Sequence, residues 1–255
     1  MAKYIELVGV PGIGKTTTYK YLKNIQSEND SWKLLEDIFR KPPPKKVGFK
    51  HQLKNILKNL LGLPTTSKVK VVHDNKVLDD FMTQNEDLIN IFWEVTMTKN
   101  QNIDGKDLRF HSVYYMMMIF ENLQAIKTLN SNKCYILDEG LILNLNYFTN
   151  EALEENLDSQ ISRVLDKIYL PVGLVLFEGD VETVIERTIN RGKLKPRDQN
   201  MSEDMMRKSR NATACEKRNF VNAVQARNVP VLRINAKNTV ESNAKEIARF
   251  AESLA

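Results

Sequence analysis

Two observations predict an α/β fold with a parallel sheet covered by helices on both faces. Five short apolar segments alternate along the chain with helical stretches. The first apolar segment runs directly into a glycine-rich turn, which a helical pattern follows. A length of 255 residues suits one large domain of this kind. With 42% hydrophobic and 27% charged residues the composition is that of a globular chain. No run of about 18 apolar residues is present to span a membrane.

Tyr4-Ile5-Glu6-Leu7-Val8 carries an acid in a short apolar stretch and meets glycines at once. It therefore reads as a buried first strand and not as a signal peptide. Residues 15–25 place Tyr19, Leu22 and Ile25 at helical spacing. Lys33-Leu34-Leu35 is the second strand, closed by Glu36-Asp37. Pro42-Pro43-Pro44 stops regular structure. The pattern to about residue 108 is helical, with breaks at Gly62-Leu63-Pro64 and Asp104-Gly105. A long helix is expected over 110–129. Tyr135-Ile136-Leu137 is the third strand and 172–177 the fourth. Asp180 is placed to cap a helix over 181–191. A long helix over 201–227, a fifth strand over 229–234 and a closing helix over 240–254 complete the chain. The stretch 41–108 is too long for a loop, and is expected to form a helical lobe over the carboxyl end of the sheet, where ligands bind.

Gly9-Val10-Pro11-Gly12-Ile13-Gly14-Lys15-Thr16 fits Gly-x4-Gly-Lys-Ser/Thr at every fixed position, the P-loop pattern. Glycines let the backbone wrap closely around a phosphate, with successive amides pointing inward. The following helix aims its positive end at the same place, where Thr17 also lies. Lys15 is assigned to the β- and γ-phosphates of a triphosphate, and the Thr16 hydroxyl to Mg²⁺. The third strand ends in Asp138-Glu139-Gly140, the form of a second, metal-holding acidic motif. Asp138 would hold the magnesium, and Glu139 would complete the metal shell or orient the acceptor. Arg187 and Arg191 lie four apart on one helix face, with Lys193, Lys195 and Arg197 following. Such a basic segment can neutralise a γ-phosphoryl group in flight and exclude water on closing.

In this order and spacing, over about 1–40 and 108–255, the chain resembles the P-loop nucleoside and nucleotide kinases, especially the thymidylate and deoxynucleoside kinase branch. The resemblance implies a three-layer sandwich with a five-stranded parallel sheet ordered 2-3-1-4-5, a lid at about 188–200, and ATP as donor. It implies a carboxylate after strand two as general base. Glu36 matches that position best, with Asp37 beside it; both residues also suit a plain strand end. The loop after strand five is implied to touch adenine, so Asn235 and Ala236 join the nucleotide contacts. Two departures concern the acceptor. Asp138-Glu139-Gly140 stands where those families have an arginine after the acid, and the 110–129 helix lacks an internal arginine, with only Arg109 near its start. Arg109, Arg197, Glu139, Glu36 and Asp37 are the acceptor candidates.

From Arg40 to Lys76 there are ten Lys or Arg residues against Asp74 alone. That stretch carries +9, so the rest of the chain is near −4. Within it Phe49, Leu53, Ile56, Leu57, Leu60 and Leu61 form a helical stripe with Lys50, Lys54 and Lys58 off it. A core helix with a solvated lysine face explains this; contact with nucleic acid or an anionic membrane is the alternative. Cys134 and Cys215 form no Cys-x-x-Cys pair, and His51, His73 and His111 have no metal spacing. A reduced, cytoplasmic chain follows; a homodimer is compatible with this reading. The function expected is an ATP- and Mg²⁺-dependent kinase of a small molecule, foremost a nucleoside or nucleotide. Its alternatives are a kinase of a sugar, lipid-linked or other metabolite hydroxyl, and a nucleic-acid-linked or regulatory ATPase.

Overall fold

The sheet is built around β1 (Lys3–Val8), which pairs in parallel with β5 (Cys134–Leu137) on one side and β6 (Gly173–Glu178) on the other. β2 (Trp32–Leu34) lies outside β5, and β7 (Val231–Asn235) outside β6, both parallel. Counting these five strands alone, the order is 2-3-1-4-5, the expected P-loop kinase-like sheet. The structure is a computed structural model that describes residues 2–39, 75–99, 102–103, 106–150, 153, 155–190 and 201–255. The lysine-flanked stripe at 49–61 and most of the basic segment lie outside the described residues.

Strand alternation sorts the side chains into two cores. Tyr4, Val8, Tyr135, Leu137, Leu174 and Leu176 face one way. They meet α2 (Asn75–Gln84), α3 (Glu86–Thr98), α4 (Arg109–Thr128), α5 (Leu157–Leu165) and α7 (Glu203–Gln225). Ile5, Leu7, Leu34, Ile136, Val175 and Ile234 face the other way, against α1 (Lys15–Ile25), α6 (Val181–Asn190) and α8 (Val240–Leu254). The first core is aromatic. Phe81 stacks on Phe120 at 4.8 Å, and Phe92 meets Phe120 edge-on at 5.9 Å. Met116 and Phe120 are fully buried there, whereas Phe110 and Tyr114 on the same helix are exposed.

Helix limits follow local chemistry. Asp180 takes the Glu182 amide at 2.9 Å and the Thr183 hydroxyl at 3.2 Å, as its position predicted. Asn156, Ser202 and Thr239 cap α5, α7 and α8. The sequence pattern fails in two places. The stretch before 108 is not helical throughout, because β3 (Asn102–Ile103) and β4 (Lys106–Asp107) pair antiparallel. A 3₁₀ segment (Ile142–Tyr147) and α5 occupy a region that periodicity left without elements. Among the described residues no helix is long and apolar enough to cross a membrane.

Candidate nucleotide and acceptor site

The turn between β1 and α1 has the backbone its glycines permit. Gly12 takes φ +95°, and a Cβ there would stand 2.9 Å from Thr188 Oγ1 on α6. The turn is thus packed beneath as well as bent. Lys15 Nζ donates to the Gly9 carbonyl at 2.9 Å, so the ammonium spans the mouth of the loop. Ile13 is buried, and its side chain anchors the loop in the second core. Pro11 is half-buried and Thr17 exposed at the start of α1.

Thr16 and Asp138 meet. Their side chains hydrogen-bond across the ends of α1 and β5, and the Lys15 charge lies close by. Burial raises the Asp138 carboxyl above the usual carboxylate range, while the Thr16 bond and Lys15 oppose that rise. Asp138 Oδ1 is buried without a hydrogen-bond partner among the described residues. An oxygen so placed would be satisfied by a small hard cation. Among the described residues no cluster of three or more His, Cys, Asp or Glu offers a cage. Mg²⁺ does not need one, since water and phosphate oxygens ordinarily fill most of its shell.

Arg187 is placed differently from a side chain waiting in solvent. Its Nη1 donates to the Ile13 carbonyl and its Nη2 to the Ala236 carbonyl, each at 3.0 Å. The guanidinium joins the phosphate loop to the loop after β7. Beside it opens a cleft of about 610 Å³, lined by Gly14, Thr17, Arg187, Asn190, Ala236 and Asn243. That volume suits a nucleoside. Asn235 turns into its own loop, accepting the Lys237 amide on Oδ1 and the Asn243 amide on its carbonyl. Arg191, Arg197 and most of the expected lid at 188–200 lie outside the described residues.

At the other side of Asp138, Glu36 and Asp37 form a 3₁₀ turn (Leu35–Asp37) after β2. Asp37 is engaged locally, accepting from Leu34 N at 3.1 Å and from Gln26 Nε2 at 2.7 Å. Glu36 pairs with Lys23 at 2.9 Å. Glu139 accepts the Tyr115 hydroxyl proton at 2.6 Å. Arg109 is held by Asp107 in a fork of 2.6 to 3.0 Å at the exposed start of α4. The structure therefore gathers Lys15, Thr16 and Asp138 about the loop and Arg187 and Ala236 about the cleft; Arg109 is tied to its own hairpin.

Sequence reasoning missed Tyr19 and Asn144 as contributors. Tyr19 was legible only as a helix-face aromatic; burial raises its hydroxyl, and Glu36 and Asp138 lie close enough to raise it further. Tyr115 and Asn144 also reach this region, Asn144 Nδ2 approaching the Tyr115 oxygen at 3.5 Å. No short-range signal connects residues 24 or more apart.

No family model matches the chain, and no curated protein matches it. Solved structures similar to it include two nucleoside and nucleotide kinases. One is deoxyadenosine kinase from M. mycoides with bound dATP, at 13% identity over 97% of this chain and 98% of that one, with a TM-score of 0.41. The other is thymidylate kinase from Ehrlichia chaffeensis, at 13% identity over 98% of both chains, with a TM-score of 0.36. The fold stands on the strand order and register described above, a P-loop kinase-like three-layer sandwich.

Proposed function

We propose that this chain is a phosphotransferase that moves the γ-phosphoryl group of ATP to a small-molecule acceptor, foremost a nucleoside or nucleotide. The observation that supports this most is the meeting of Thr16 with Asp138 beneath a P-loop, with one Asp138 oxygen buried and without a partner among the described residues. Thr16 and Asp138 would hold Mg²⁺, which supplies charge neutralisation between the β- and γ-phosphates. The loop amides and Lys15 grip the triphosphate. Arg187 shapes the cleft for the donor base by fixing the Ile13 and Ala236 carbonyls.

Glu36 is the better base of the two carboxylates after β2, because Asp37 is consumed in capping its own turn. With a hydroxyl acceptor, the acceptor oxygen bonds to the γ-phosphorus and the bond from that phosphorus to ADP breaks. Glu36 takes the hydroxyl proton. Lys23 pairs with Glu36 at 2.9 Å and holds its side chain beside α1. Glu139, oriented by Tyr115, faces the acceptor end beside Asp138.

The test is a panel of nucleosides, nucleotides, sugars and DNA, each incubated with ATP and Mg²⁺, with products identified by mass. A phosphorylated nucleoside or nucleotide is the result expected. A phosphorylated sugar or lipid-linked hydroxyl would move the acceptor class. ATP hydrolysis stimulated only by nucleic acid would refute the proposal. Asp138→Asn should weaken the Mg²⁺ dependence of triphosphate binding, and unchanged Mg²⁺ dependence would remove Asp138 from the metal.

A further inference from the structure

Glu6 occupies an inward position of β1, between Tyr4 and Val8 on the aromatic core face, and is fully buried. A carboxylate in the centre of a sheet needs partners. Its partners come from the turn after Asp138-Glu139. Ile142 N donates to Oε2 at 3.1 Å and Leu143 N to Oε1 at 2.6 Å. The Gly140 amide is a third donor. A Cβ at Gly140 would overlap the Glu6 carboxylate. Glycine after Asp138-Glu139, the departure noted in the sequence, is therefore the residue that Glu6 requires.

The contacts continue to the acceptor end. The Gly140 carbonyl accepts from Asn144 Nδ2 at 2.7 Å. The same amide approaches the Tyr115 oxygen, and the Tyr115 hydroxyl donates to Glu139. Glu6, the 140–143 backbone, Asn144, Tyr115 and Glu139 form one connected chain, and β1 carries its first member three residues before Gly9.

We propose that Glu6 is a positioning residue: its carboxylate locks the 140–143 turn and thereby sets the Glu139 carboxylate for the acceptor. This rests on the phosphotransferase reading, in which Glu139 stands at the acceptor end. Burial pushes the Glu6 carboxyl up to about 7, against its three amide donors and the Lys217 charge. Among the described residues, Lys217 and Tyr4 are the charged and titratable groups that act on it. Lys217 of α7 is held by Glu216 at 2.9 Å and by Asn146 Oδ1 at 3.2 Å. Lys99, after α3, holds the Asn146 and Thr149 carbonyls and lowers the Lys217 ammonium's affinity for its proton. Tyr4 lies on the same strand. Protonation of Glu6 would set an O–H where amides donate, and so loosen the turn.

The test compares wild type with Glu6→Gln and Tyr115→Phe from pH 5.5 to 8.5, using ATP and the acceptor found in the panel. Wild-type kcat should rise with pH through about 7. Glu6→Gln should lack that limb and lose roughly 100-fold in kcat at pH 8, with ATP affinity measured by calorimetry changed less than about twofold. Tyr115→Phe should keep the limb and raise the acceptor KM. A Glu6→Gln enzyme that retains the limb, or that loses ATP affinity in step with kcat, overturns the proposal. If no acceptor is phosphorylated, the function fails while the lock is still tested in wild type alone. Amide protection factors at Ile142 and Leu143 should then rise through the same pH as a ¹³C-carboxyl titration of Glu6. The same measurement decides the matter if Glu6→Gln does not fold. Protection that does not follow the Glu6 titration overturns the lock.

Discussion

Glu6 also makes folding stability depend on pH, with a sign that can be worked out. Its carboxyl moves from an ordinary 4.5 to about 7 in the folded chain. The folded state therefore holds this proton more tightly than the unfolded state. The associated stabilisation is complete below about 4.5 and is lost as pH rises through about 7. The shift corresponds to about 3 kcal/mol, of which about 2.5 kcal/mol falls between pH 5 and pH 8. Glu6→Gln removes the titration and leaves the other carboxylates in place. The assay is urea unfolding of both proteins at pH 5 and pH 8, with stabilities taken from midpoints. The wild-type stability relative to the variant should fall by about 2.5 kcal/mol between the two pH values. A relative stability that stays constant or rises would refute a buried, proton-hungry Glu6. The opposition is informative: the ionised form that best grips the turn is the form that the fold tolerates least.

Arg187→Lys should raise the KM for ATP by roughly 10-fold or more with a smaller change in kcat, because an ammonium cannot fork between the Ile13 and Ala236 carbonyls; steady-state kinetics checks this. Gly12→Ala should cost about 1–3 kcal/mol in thermal unfolding, from φ +95° and the approach to Thr188, and should weaken ATP binding measured by calorimetry. Glu36→Gln should bind ATP as wild type does and turn over roughly 100-fold more slowly or worse on a hydroxyl acceptor. Asp37→Ala should instead destabilise the fold by about 1 kcal/mol through loss of the Leu34 amide bond, seen in a urea melt.

What was legible in the sequence was what depends on neighbours in the chain. The P-loop, the first helix at Lys15–Ile25 and the closing helix at Val240–Leu254 are written in local periodicity, glycines and caps. The strands were found because each is an apolar run; their order was implied by the resemblance to the nucleoside and nucleotide kinases, and the sheet has that order. The 3₁₀ segment at Ile142–Tyr147 was not legible. Leu-Ile-Leu-Asn-Leu-Asn-Tyr carries no helical period, and its entry is fixed by a carboxylate 136 residues earlier. The acid in β1 was visible as an oddity, but its partners were not. Arg187 was readable as a phosphate arginine from its spacing to Arg191; only the three-dimensional structure shows its guanidinium joined to two carbonyls. Tyr115 stands among methionines and aromatics whose pattern suits a core or an acceptor pocket alike, and only its bond to Glu139 separates the two.

The Arg187 bridge has a consequence for how the chain comes to be finished. Its three members, Ile13, Arg187 and Ala236, span nearly the whole sequence. β1 itself gains its sheet partners only from residues 134–137 and 173–178. During synthesis the glycine loop leaves the ribosome well before β7 and Ala236, to which Arg187 ties it. Contacts so far apart in sequence form late and slowly. The glycine loop is therefore completed only after strands far downstream of it, and a nascent chain holds its most recognisable motif long before it holds the site.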